Sequence, residues 1–138
     1  MIIKNIDYKD SMFNFFKKKN PQLVIPTLGK FEILYNKDLT IIEGKYDSRT
    51  FGKIKLSFQS NINNVNEHQI CTLKLIENNW KDFESKIDKD FRVDSIKIPT
   101  YKCSYFDVDA EIVFMNKNKN IISAIFKDGK ISEIIKIQ

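Results

Sequence analysis

Asp107, Asp109 and Glu111 stand at positions i, i+2 and i+4 of the run 105–115. In an extended chain that spacing turns all three carboxylates to one face. Oxygen ligands in such a row can hold Mg²⁺ or Ca²⁺, and a carboxyl withdrawn from water can do acid–base chemistry. The same three residues also suit the wet face of an amphipathic strand whose neighbours supply lysines as counter-charges. They are the candidate binding residues of this chain. No second carboxylate cluster or histidine lies nearby in sequence to complete a coordination shell.

The remaining reactive residues point to less. His68 is the one histidine, which excludes H-E-x-x-H and every multi-histidine metal site. Cys71 follows it by three, but no oxyanion hole or orienting group accompanies the pair. Cys71 and Cys103 have neither C-x-x-C spacing nor a disulfide framework, and both are expected to be buried free thiols. Gly29, Gly44, Gly52 and Gly129 are too dispersed to cradle a phosphate. The sequence carries no catalytic or cofactor signature.

Charge narrows the partners. The net charge is +5, yet Arg49 and Arg92 are the only arginines and lysines occur in every segment. Sequence-reading nucleic-acid sites favour Arg for bidentate contacts and aromatics for stacking, so specific nucleic-acid binding is not expected. Apolar runs are too short to span a bilayer, and residues 1–7 lack the basic-then-apolar order of a secretory signal. The expectation is a cytoplasmic protein.

Elements that would position these residues follow from periodicity. Leu73, Ile76, Trp80, Phe83, Ile87 and Phe91 are spaced by 3, 4, 3, 4 and 4, one stripe of a 3.6-residue helix, so a single long helix is expected over 73–91 with Trp80 in the core. Asn63 or Asn64 would cap it. Asp10 to Pro21 reads as a short helix, with lysines in its last turn and proline as its stop. Strands with period 2 are expected at 31–35, 39–46, 51–59, 93–100, 105–115, 121–127 and 131–137. Gly44 suits a bulge, and Asp128-Gly129 is a two-residue hairpin signal. The expected fold is α+β: an antiparallel sheet of two meanders packed against one long central helix, with a short N-terminal helix. With 138 residues and no linker-like break, one domain over 1–138 is expected.

Several stretches resemble a bacterial domain of unknown function, number twenty-two sixty-two. They are Pro26-Thr27-Leu28-Gly29-Lys30-Phe31, the run 39–45 with its Glu43-Gly44, Gly52-Lys53-Ile54-Lys55-Leu56, Trp80 and Asp128-Gly129. Where members often carry G-H-x-I before the last hairpin, this chain has Asn118-Lys119-Asn120-Ile121. The resemblance runs from about Pro26 onward and implies a fold; the family has no established activity. Similar small domains act as immunity-like or accessory binding proteins, which implies a protein partner.

Together these readings favour a non-enzymatic protein-binding module without cofactor, in its narrowest form an immunity protein that neutralises a toxin. The alternative is a metal-dependent enzyme or ligand-binding accessory domain using Asp107, Asp109 and Glu111.

Overall fold

A computed structural model describes residues 20–36, 39–60, 62–100 and 108–137. Eight strands run in sequence order across one sheet: β1 (Gln22–Ile25), β2 (Gly29–Asn36), β3 (Leu39–Ser48), β4 (Gly52–Ser60), β5 (Arg92–Ile98), β6 (Ala110–Met115), β7 (Ile121–Lys127) and β8 (Lys130–Lys136). Every neighbouring pair is antiparallel except β4 and β5, which are parallel. A parallel pair needs a crossover, and the helical segment between β4 and β5 supplies it.

This corrects the expected α+β class. Strand accounts for 53% of the described residues and helix for 18%, so the protein is mostly β. The two meanders are halves of one sheet, fused through the β4–β5 junction. The long helix is instead α1 (Glu67–Asn78), a single turn α2 (Trp80–Phe83) and a 3₁₀ turn, Glu84–Lys86. Asn79 breaks it. Its backbone leaves helical geometry at φ −110°, ψ 17°, and its amide Nδ2 donates to the Leu75 carbonyl at 3.0 Å. Asn side chains that bond nearby backbone compete with the helix in this way. The apolar stripe still faces the core: Leu73, Ile76, Phe83 and Ile87 are buried, while Trp80 and Phe91 are half-buried against it. Residues 10–19 of the expected N-terminal helix lie outside the described residues.

The helix cap is Asn66, not Asn63 or Asn64. Its side chain accepts the Gln69 N–H at 2.8 Å, and Gln69 Oε1 accepts the Asn66 N–H at 3.1 Å. Gln69 is fully buried and its amide donates to the Gln59 carbonyl at 2.8 Å and the Ile98 carbonyl at 3.0 Å. One side chain therefore fastens the start of α1 to the ends of β4 and β5.

Ile42, Tyr46 and Ser48 of β3 and Ile54, Leu56 and Phe58 of β4 are buried on one face, and Tyr46 and Ser48 both donate to Glu77 Oε2 of α1 at 2.7 Å. Phe31, Phe58, Phe114 and Phe126 fill the core between. No described helix is long and apolar enough to cross a membrane.

Candidate functional site

Asp107 lies outside the described residues, so the sequence-predicted carboxylate row is visible only at Asp109 and Glu111. Asp109 precedes β6. Its carboxylate accepts the Asp128 N–H at 3.0 Å and its own N–H donates to the Phe126 carbonyl at 2.9 Å. It thus braces the β7–β8 turn, where Asp128 (φ 53°) and Gly129 (φ 81°) both adopt the left-handed geometry of a two-residue hairpin. Glu111 accepts the Ser123 hydroxyl at 2.5 Å and lies 3.8 Å from Lys97. Both carboxylates have partners inside the fold. Among the described residues, no three His, Cys, Asp or Glu side chains converge on a point suited to a metal ion.

Other reactive residues are spread over the helix side. Cys71 is exposed, contrary to the buried thiol expected, because it lies off the apolar stripe of α1; Cys103 lies outside the described residues. His68 is exposed too, and its carbonyl accepts the Thr72 hydroxyl. Glu77, which receives the Tyr46 and Ser48 hydroxyls, clamps the β3–β4 turn, since Ser48 Oγ also accepts the Thr50 and Phe51 N–H groups at 3.1 and 3.2 Å. Burial first, then the hydrogen bond and the negative charge of Glu77, push the Tyr46 phenol well above its ordinary pKa. Trp80 is half-buried, edge-on to Phe51 at 4.9 Å and stacked on Phe114 at 5.9 Å. It is a core aromatic with one side open to a cleft of about 660 Å³.

The opposite face of the sheet is different. No described helix covers it, and the strand register orders its side chains into rows. On β3 and β4, Lys45 stands directly opposite Lys55, and Asp47 opposite Lys53. On β2 and β3, Glu32 stands opposite Glu43. Like charges placed directly across a sheet oppose pairing by up to about 1 kcal/mol. Only part of this is relieved: Lys55 reaches Glu43 at 3.5 Å, whereas Lys45 has no carboxylate within ion-pair distance among the described residues. Lys30, Lys45, Lys53 and Lys55 line one groove of about 760 Å³, facing Glu32, Glu43 and Asp94. Lysines that look scattered along the sequence therefore converge here.

Gly44 lies where β2 and β3 pass beneath the groove, with the side it leaves bare turned to the core. A Cβ there would lie 2.9 Å from the Lys30 carbonyl and 3.1 Å from the Phe31 ring. Only glycine lets β2 pass this close. Towards β8 the same face turns apolar, with Val113, Met115, Ile121 and Ile125 half-buried and Ile135 and Ile137 42% and 56% exposed.

No family model matches the chain, and no curated protein or solved structure matches it significantly. The surface itself carries the functional reading.

Proposed function

We propose that this chain is a non-enzymatic protein-binding module that holds a carboxylate-rich surface of its partner in the Lys30/Lys45/Lys53/Lys55 groove. The observation that carries this reading is the pair Lys45 and Lys55, set directly across from each other on a face that no described helix covers. Such a pair costs the isolated fold stability, and an acidic partner offsets that cost on binding. The groove lines its walls with lysines and no arginine, and among the described residues no aromatic side chain stands out from the face beside them to stack on a base. That composition suits partner carboxylates better than nucleic acid. In its narrower form the module is an immunity protein, and its target is a toxin with an acidic surface.

Co-expression tests this directly. The product of the reading frame next to this one should arrest growth alone, and this chain should relieve the arrest. The combined substitution Lys45→Glu/Lys53→Glu should abolish relief while leaving the circular dichroism spectrum intact. Relief that survives both charge reversals would place the binding surface elsewhere. A neighbouring product that this chain neither binds nor neutralises would defeat the immunity form of the reading.

A further inference from the structure

The two edges of the sheet are built differently. β1 is four residues long and bracketed by Pro21 and Pro26, which blunts it against further pairing. β8 is seven residues long and contains no proline, and Ile134 and Ile135 on it are 41% and 42% exposed, on opposite faces of the sheet. An edge of that length and composition is a template for another strand.

The hydrogen-bond alternation says which groups await it. The Ile137 N–H donates to the Ile121 carbonyl at 2.9 Å, and Ile135 is paired with Ser123. Odd-numbered residues at this end of β8 therefore turn their backbone groups to β7, and Ile134 and Lys136 turn theirs outward. Among the described residues no strand pairs with that outward row.

We propose that β8 pairs antiparallel with β8 of a second copy of this chain, about a two-fold axis normal to the sheet at Ile135. In that register the N–H and carbonyl groups of Ile134 and Lys136 exchange four backbone hydrogen bonds with Lys136 and Ile134 of the second copy. Ile135 meets its own copy at the axis, where side chains of a non-hydrogen-bonded pair approach most closely. Ile134 faces the aliphatic stem of Lys136, and Glu133 faces Ile137, so no like charges are opposed. Centring the axis on Glu133 would instead set Glu133 against its copy and Lys130 against Lys136. The two-fold gives each copy the same set of facing residues, as a self-complementary isologous contact requires. Two eight-stranded sheets become one, and both lysine grooves stay open at its far ends. The inference does not rest on the proposed function.

Light scattering on the purified chain, from micromolar to sub-millimolar concentration, reads the outcome. The expected mass is twice the 16.3 kDa of one chain. Ile134→Pro removes an N–H that points away from β7, so the sheet should fold while the dimer dissociates. Ile135→Lys puts two ammonium groups at the axis and should give the same monomer. Val24→Lys on the β1 edge should leave the dimer intact. A monomer at every concentration overturns the inference, as does a dimer that survives both β8 substitutions.

Discussion

Replacing Gln69 by leucine tests what holds the crossover to the sheet. The side chain is fully buried and makes three hydrogen bonds: to the Gln59 carbonyl, to the Ile98 carbonyl and from the Asn66 N–H. Leucine fills similar volume but offers neither donor nor acceptor. Leaving each of the two carbonyls without its donor costs about 1–3 kcal/mol, and losing half of a capping box costs about 0.5–1 kcal/mol. Extra apolar burial returns about 1 kcal/mol. The net expectation is a loss of about 3 kcal/mol, from a total of about 5–15 kcal/mol for an ordinary domain. For a chain of this size that lowers the melting temperature by about 10 °C. Urea unfolding followed by far-ultraviolet circular dichroism should show an earlier midpoint with unchanged slope. Asn66→Ala, which removes only the cap, should cost about 1 kcal/mol. If Gln69→Leu matches wild type within about 0.5 kcal/mol, a leucine side chain serves there as well and the fastening role of Gln69 is refuted.

Further outcomes follow from the same geometry. Because the Tyr46 pKa is raised in the folded protein, its contribution is intact below the unfolded value of about 10 and is lost above it, as the unfolded chain ionises first. Stability measured by urea titration should therefore fall from about pH 10 upward, less steeply in Tyr46→Phe. Gly44→Ala should cost about 1–3 kcal/mol, because the added methyl meets the Lys30 carbonyl; a melting temperature equal to wild type would show that β2 can move aside. Since Asp109 and Glu111 already have partners in the fold, millimolar Mg²⁺, Ca²⁺ or Mn²⁺ should not raise the melting temperature. A saturable rise that disappears in Asp109→Asn would restore the metal-dependent alternative.

The strands were legible where one face is wet and the other dry. Ile54, Leu56 and Phe58 alternate with Lys53, Lys55 and Ser57, and the structure buries the first set and leaves the lysines exposed. The Asp128-Gly129 hairpin was equally plain. β1 is not legible in the sequence because Leu23-Val24-Ile25 is a brief apolar run between two prolines, with nothing to show its period. The helix stripe predicted which residues meet the core but not the break, which depends on what the Asn79 side chain bonds. The Asn66-x-x-Gln69 capping box was written in the sequence and was the signal for both the true cap and the buried glutamine. The parallel β4–β5 junction was not readable, since alternation says which face a residue takes and nothing about which strand lies beside it. The lysine groove was hidden for the same reason: Lys45 and Lys55 meet through register, across a turn, and the spacing of lysines along the chain does not encode that.

Amide NMR during titration with the purified neighbouring gene product is the most direct test of the groove as a binding surface. The account predicts that shifts and broadening concentrate on β2, β3 and β4 around Lys30, Lys45, Lys53 and Lys55, and that affinity drops as salt is raised. Perturbations confined to α1 and the Trp80 cleft, with affinity indifferent to salt, would contradict it.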